Sequence, residues 1–160
     1  MPAQAEGGVK ALSLTQPWAW LVVHGPKRIE NRKWHLPRSM RGETFLVHAA
    51  KGVTKADCEG AREVCEAVLD DPAYPRFELP PMGDLVRGAI IGRARVTDCW
   101  CPLATLPAEE QERAASRDVW WFTDQHGFVL VDVVAFAEPI PCKGALGFWT
   151  VPDDIARRLP

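Results

Sequence analysis

The sequence has no apolar run long enough to cross a membrane. None of its hydrophobic stretches approaches the roughly 20 residues that a membrane-spanning helix needs, although 47% of the 160 residues are hydrophobic. The N-terminal residues also lack the charged-then-apolar layout of a secretory signal. These absences argue against a membrane-bound or secreted protein, and they predict a cytoplasmic location with no membrane partner.

Disulfide and metal-binding patterns are missing as well. The five cysteines are an odd number and include no Cys-x-x-Cys pair, which argues against a disulfide framework and a zinc ribbon. The four histidines have no metal-type spacing, and Cys99-Trp100-Cys101 with a distant histidine is a poor match to a structural zinc site. Neither Gly88 nor Gly92 is followed by the lysine and hydroxyl of a phosphate-binding loop. We therefore predict no metal and no cofactor.

Positive charge is scarce overall but concentrated in one segment. The chain has a formal charge of −2 and a pI of about 6.1, which is low for a protein that coats nucleic acid non-specifically. Residues 27–41 carry a charge of +5, because they contain one acid, Glu30, and six cations: Lys27, Arg28, Arg32, Lys33, Arg38 and Arg41. The rest of the chain therefore carries −7. This sorting of charge favours a small anion-binding site over a long wrapped one.

Three tryptophans accompany this basic segment: Trp18, Trp20 and Trp34. Flat rings beside cations are typical of a site for single-stranded nucleic acid, in which Lys and Arg contact phosphates and aromatic rings stack on bases. Trp18 and Trp20 are two residues apart on a predicted helix and cannot share a face, so we expect one of them to pack inward. We favour Trp34 as the stacking ring. The alternative is a solvated basic loop beside tryptophans of the core.

The pattern of apolar and turn-forming residues predicts one compact domain that buries roughly two-thirds of its unfolded surface. Predicted strands cover residues 11–14, 28–32, 44–49, 88–96, 129–136 and 147–151; predicted helices begin at the caps Thr15 and Thr54 and at Pro107. Because regular strand-helix alternation is missing, we predict an α+β fold, namely a small mixed β-barrel with flanking helices. A flexible N-terminus over residues 1–10 would precede a single domain over residues 11–160.

Six short motifs are distributed over residues 11–151. They are Leu12-Ser13-Leu14-x-Gln16-Pro17-Trp18-Ala19, Gly25-x-Lys27-Arg28-x-Glu30-x-Arg32-x-Trp34, Arg41-Gly42, Gly88-x-Ile90-Ile91-Gly92, Val96-x-Asp98-Cys99, and Pro141-x-Lys143-Gly144 with Trp149. Together they resemble the ASCH domain family, a branch of the PUA-like barrels, and most closely its cointegrator-type members. The resemblance implies a PUA-like barrel with a cleft between the sheet and the first helix, where relatives hold RNA or a modified nucleoside.

The resemblance and the basic segment together favour a nucleic-acid-binding module, whose partner would be RNA, single-stranded nucleic acid or a nucleotide. The predicted nucleic-acid-binding residues are Gln16, Lys27, Arg28, Glu30, Arg32, Lys33, Trp34, Arg41 and Lys51. His48 and Lys51 follow or end a predicted strand and should point near the same cleft. Two residues have structural alternatives: Glu30 as a counter-ion for Lys27 or Arg32, and Gln16 as a helix cap.

Two alternative functions stay open. Some small members of the same family are amidohydrolases that deacetylate N4-acetylcytidine with a lysine, a threonine three positions later and a distant glutamate. Lys27 matches that lysine, but Glu30 stands in the threonine position, so we predict no deacetylation. Candidates for the distant glutamate are Glu109, Glu110 and Glu112. A ribonuclease would use Lys27, Glu30 and His48 as its catalytic residues. The second alternative is a scaffold that binds a protein partner through exposed tryptophans.

Overall fold

The computed structural model describes residues 7–160. They form six strands and four α-helices. The strands are β1 (Lys10–Leu14), β2 (Ile29–Arg32), β3 (Thr44–Ala49), β4 (Ala89–Trp100), β5 (His126–Pro141) and β6 (Phe148–Thr150), and the helices are α1 (Trp18–Val23), α2 (Lys55–Asp70), α3 (Ala108–Ala115) and α4 (Asp153–Ala156). Of the predicted flexible segment 1–10, residues 1–6 lie outside the described part, while Lys10 begins β1.

The strands form one mixed sheet in the order β2-β5-β4-β3-β1-β6. β1 and β3 are parallel, and every other neighbouring pair is antiparallel. Register shifts interrupt the β4–β5 ladder at three places, and such bulges bend a strand and increase its twist. The sheet therefore curls into a half-barrel with helices beside it, which confirms the predicted α+β class. β2 lies at one edge of the sheet, where the sequence predicts a strand over residues 28–32.

Two strands are longer than the sequence predicts. β4 and β5 pair with each other from Ala89 opposite Pro141 to Trp100 opposite Gly127, and this pairing extends both strands past their β-branched centres. The cause is tertiary, because cross-strand partners stabilise residues whose own preference for strand is weak. Helix α1 begins at Trp18, three residues after the predicted cap Thr15, and ends at Val23, two residues before Gly25-Pro26.

Aromatic rings fill the inside of the half-barrel. Phe128 and Phe148 are stacked with centroids 6.3 Å apart, and Trp34 meets both of them edge-on. Phe45 also meets Phe148 edge-on at 5.4 Å. Edge-to-face contacts at these distances add to the stability that burial of each ring provides. This packing ties β6, β5 and the segment after β2 together across the concave side.

Helix α2 begins as the sequence predicts. The Thr54 hydroxyl accepts a hydrogen bond from Asp57 N at 3.1 Å, and Thr54 N donates to the Asp57 carboxylate at 3.0 Å. This reciprocal capping box satisfies amide groups that a helix start otherwise leaves free. It fixes Asp57 in the first turn of α2, facing the cavity described below.

Among residues 7–160, no helix combines the length and the apolar character required to cross a bilayer.

Candidate functional site

A cavity of about 280 Å³ opens where the end of β1, the start of α1 and the strand β2 meet. Its lining residues come from five places in the chain. They are Ser13, Leu14, Thr15, Trp18, Lys27, Glu30, Asn31, Arg32, Asp57, Phe122 and Gln125. Three of the predicted nucleic-acid-binding residues, Lys27, Glu30 and Arg32, are therefore brought together on one wall. The lining includes Trp18 of α1 and residues of the strands β1 and β2.

Lys27, Glu30 and Arg32 form an ionic triad in that wall. The ammonium of Lys27 lies 2.8 Å from Glu30 Oε2 and also donates to the Ile29 carbonyl oxygen. Arg32 Nε lies 3.1 Å from Glu30 Oε1, an ion pair without hydrogen-bond geometry, and Arg32 Nη2 donates to Ser13 O at 2.7 Å. Alternate residues of a strand share a face, so β2 points Glu30 and Arg32 the same way. Glu30 is therefore the counter-ion of both Lys27 and Arg32, as the structural alternative for this residue predicts.

Two charged residues of this triad, Lys27 and Glu30, are buried. Lys27 is only 1% exposed and Glu30 only 6%, and a buried charge is tolerated only when it is paired and hydrogen-bonded. Two of the three N–H bonds of Lys27 are used inside the protein, which leaves one donor. Arg32 Nη1 has no hydrogen bond within residues 7–160. The wall therefore offers free donors next to a carboxylate whose oxygens still have unused lone pairs.

The charges around the cavity cancel. Lys27 and Arg32 contribute two positive charges, and Glu30 and Asp57 contribute two negative charges. A cavity with no net charge provides donors and acceptors without strong attraction for a phosphate. This balance differs from the strongly basic site that the sequence alone indicates.

Two aromatic rings form the apolar part of the lining. Trp18 and Phe122 meet edge-to-face with centroids 5.7 Å apart and an interplanar angle of 80°. Lys27 Nζ lies over the Trp18 ring, 5.6 Å from its centroid, in cation–π geometry. Trp18 and not the favoured Trp34 is thus the tryptophan at the cavity. Trp20, two residues further along α1, pairs with His24 instead.

Asn31 fixes the segment that carries Phe122. Asn31 Nδ2 donates to Trp120 O at 2.8 Å, and its Oδ1 accepts from Phe122 N at 2.8 Å. Both polar ends of the amide are used on a segment about 90 residues away in sequence. Nearby, burial raises the pKa of the Asp118 carboxyl, and the hydrogen bond from Trp120 N and, to a lesser extent, the positive charge of Lys27 oppose that rise.

His48 lies behind the cavity and does not line it. Its Nε2 is 3.0 Å from Cys142 O, which can only accept, so Nε2 carries the hydrogen and Nδ1 accepts from the Ser13 hydroxyl at 2.9 Å. Trp149 Nε1 in turn donates to that hydroxyl at 3.1 Å. Burial lowers the pKa of His48, which favours the neutral ring that this network needs. His48 is connected to the cavity through Ser13, which lines it.

Gln16 and Arg28 have structural hydrogen bonds away from the cavity. Gln16 is 1% exposed; its Oε1 accepts from Trp20 N and its Nε2 donates to Val86 O. The first turn of α1 is capped by this amide, and the predicted cap Thr15 makes no side-chain cap bond. Arg28 Nη1 donates to the carbonyl oxygens of Val22, Gly25 and Lys27 and so closes the other end of α1.

The other predicted contacts are spread outside the cavity. Trp34 packs in the half-barrel, and Arg41 forms an ion pair with Asp98 on the surface. Lys33 and Lys51 are exposed and do not line the cavity. The three candidate glutamates on α3 are also absent from its lining: Glu109, Glu110 and Glu112. None of the seven tryptophans, all within the described residues, is fully exposed.

The cysteines and histidines do not line the cavity. All five cysteines are free thiols, with Cys65 buried and the others half-buried. Within residues 7–160, no group of three or more His, Cys, Asp or Glu side chains is arranged to hold a metal ion.

Comparisons with known proteins agree with this fold. The family model of the ASCH domain matches residues 12–138. Activating signal cointegrator 1 from Homo sapiens is 29% identical over 89 residues, which are 55% of this chain and 14% of that protein. The chain thus corresponds to about one-seventh of the length of this relative.

Two solved structures have a similar fold. The crystal structure of ASCH from Zymomonas mobilis aligns with a TM-score of 0.50 and 14% identity, over 93% of this chain and 91% of its own. A mutant of the same protein aligns with a TM-score of 0.50 and 13% identity, over 93% and 92% of the two chains. At such identities the likeness concerns the fold alone.

Proposed function

The chain belongs to the ASCH domain family, and on that premise we propose that it binds RNA, or single-stranded nucleic acid generally, by holding one base in the cavity. The observation that supports this most is the combination of the Lys27–Glu30–Arg32 triad with the rings of Trp18 and Phe122 in one hollow. A base needs both kinds of surface, since its faces are apolar and its edges carry donors and acceptors.

The size of the cavity fits this ligand. Sites for drug-sized molecules measure roughly 300–1,000 Å³, and this cavity of about 280 Å³ is slightly smaller than that range. One nucleoside fits such a volume, whereas a stacked run of bases does not. The cavity therefore selects a single, unstacked nucleotide, as single-stranded segments present.

The charge balance assigns separate roles to the cavity and the surface around it. Lys27 and Arg32 are compensated by Glu30 and Asp57, so the cavity suits the uncharged base. In this proposal, exposed cations of the basic segment bind the phosphates. The side chains of Lys33 and Arg38 are exposed and make no ion pair or hydrogen bond within the described part of the chain. These two residues are the phosphate contacts of this proposal.

The test uses fluorescence anisotropy with a labelled single-stranded RNA and the variant Phe122→Leu. Stacking of a base on an aromatic ring contributes about 1–3 kcal/mol, so removal of this ring should weaken binding about tenfold. Phe77→Leu is the matched control, because Phe77 is half-buried beside Trp120 but does not line the cavity. Equal affinities for the two variants, or no binding by the wild-type protein, would rule out this site.

Hydrolysis in the same cavity is the second candidate, as a small amidohydrolase or a ribonuclease. It is favoured by the presence of Lys27 and Glu30 on one wall. Against it, the Lys27 ammonium already donates to Glu30 and to Ile29 O, and His48 is bonded to Ser13 and Cys142. We therefore expect binding without turnover. Conversion of N4-acetylcytidine to cytidine by the wild-type protein, but not by Lys27→Met, would contradict this expectation.

A further inference from the structure

We propose that Gln125 is the specificity-determining residue of this site and reads the edge of the bound base. This inference rests on the proposed function, because it assigns a role within the same cavity. Three observations carry it: the fixed backbone of Gln125, its unpaired side-chain amide, and its position in the cavity lining.

The backbone of Gln125 is held from both sides. Its carbonyl oxygen accepts a hydrogen bond from Trp121 Nε1 at 2.9 Å, and its N–H donates to Phe122 O at 2.9 Å. The Trp121 side chain is buried in a core cluster. Asn31 forms hydrogen bonds with the two neighbours of Trp121 in the chain, Trp120 and Phe122. The residue is therefore placed with little freedom, as a residue that reads a ligand must be.

The side-chain amide of Gln125 has no hydrogen-bond partner within residues 7–160. The other two glutamines of this part of the chain do have partners: Gln16 donates to Val86 O and Gln111 donates to Leu106 O. Gln125 is half-buried and borders the cavity. A donor and an acceptor are thus presented side by side, on a rigid support, at the place where a base edge would lie.

An amide recognises a base edge through this pair of groups. Its N–H₂ donates and its oxygen accepts, so it can form two parallel hydrogen bonds with an edge that has one acceptor and one donor. A carboxylate can only accept. Replacing Gln125 by Glu should therefore favour guanine, whose Watson–Crick edge has two adjacent donors, and should penalise the other bases.

The experiment measures the affinities of a set of short fluorescein-labelled RNAs that carry a single central A, C, G or U between abasic residues. The wild-type protein should rank these RNAs, with at least about a fivefold spread. Gln125→Glu should raise the affinity for the guanine RNA relative to the other three. Gln125→Met keeps a side chain of similar size without the amide and should reduce the differences in affinity among the four RNAs. Gln111→Glu adds the same charge on α3, outside the cavity, and should leave the ranking unchanged.

The outcomes separate this inference from the proposed function. If the wild-type protein binds these RNAs but does not rank them, or if both Gln125 variants keep the wild-type ranking, Gln125 has no part in specificity while the cavity can still be the binding site. If the wild-type protein binds neither these RNAs nor ordinary single-stranded RNA, the proposed function is wrong and the inference fails with it. Thermal unfolding of each variant verifies that the fold is intact.

Discussion

Lys27 and Glu30 form a salt bridge of 2.8 Å that is almost completely removed from solvent, with side chains 2% and 8% exposed. The surface pair Arg95–Asp132 has the same N···O distance, 2.8 Å, but its side chains are 39% and 67% exposed. The two pairs therefore differ in burial and not in length. This difference permits a direct comparison of the stability that each pair confers.

Glu30→Gln should strongly destabilise the protein. Removing one partner of a buried pair leaves an uncompensated charge, here on Lys27 and Arg32, and costs about 3–5 kcal/mol in the free energy of unfolding. Urea denaturation monitored by tryptophan fluorescence measures this loss. Asp132→Asn removes the partner of the exposed Arg95, and such surface pairs contribute about 0–1 kcal/mol. Similar losses for the two variants would mean that the Lys27–Glu30 pair is solvated in solution.

Local sequence patterns were sufficient for much of the fold and for one wall of the site. The capping box at Thr54, the order of the strands along the chain and the grouping of Lys27, Glu30 and Arg32 all follow from residues close together in sequence. Such patterns report local preference and alternation, which packing then reinforces. They also identified Glu30 as a candidate counter-ion in the basic segment.

The other wall could not be predicted in this way. Phe122 and Gln125 reach the cavity because the chain returns beside β2 about 90 residues later, through the amide of Asn31. No local pattern encodes that encounter. Likewise, Trp34 stands in the basic segment by sequence, but the curl of the sheet places its ring against Phe128 and Phe148. Long-range packing decided which aromatic residue borders the cavity.

The burial of His48 predicts that the folded protein loses stability in mild acid. Burial lowers the pKa of His48 below its ordinary 6.5, so the unfolded chain binds a proton at a pH where the folded protein does not. The free energy of unfolding should therefore fall as the pH drops from about 6.5 towards 5, with a slope of at most about 1.4 kcal/mol per pH unit from this group. Denaturant midpoints measured across this range test the slope.

A histidine control is needed, because burial and the charge of His35 also lower the pKa of His126. His48→Gln should flatten the slope, whereas His126→Gln should leave the contribution of His48 in place. An unchanged slope in His48→Gln would show that burial does not hold this ring neutral in the folded protein.

Gly144, in the segment before β6, packs closely against the hydrogen-bonded side chains of His48 and Ser13. A Cβ atom at Gly144 would lie 2.5 Å from His48 Cε1 and 2.6 Å from Ser13 Oγ. Gly144→Ala should therefore displace both side chains and cost about 1–3 kcal/mol in the free energy of unfolding, as overpacking does. Gly52→Ala is the control, because a Cβ there meets no atom within 4 Å. Equal stabilities of the two variants would indicate that residues 142–147 move away easily.

The salt dependence of RNA binding tests the separate roles of the cavity and the surface around it. Each phosphate neutralised on a single strand contributes about −0.7 to the slope of log K against log salt. If Lys33 and Arg38 each contact one phosphate, the slope should be about −1.4, and Lys33→Met should bring it to about −0.7. Lys51→Met removes an exposed lysine that lies outside the basic segment of residues 27–41, and it should leave the slope unchanged.

A slope that does not respond to Lys33→Met would place the phosphates elsewhere on the protein. A slope much steeper than two contacts can give would show that further cations bind phosphate, among which Lys27 and Arg32 would be the candidates in the cavity. In that case the carboxylate of Glu30 would have to release at least one of its two cations on binding. Because Glu30 holds both cations with little solvent access, we expect the shallow slope: the charges in the cavity are already compensated, and the base enters it without the release of counterions.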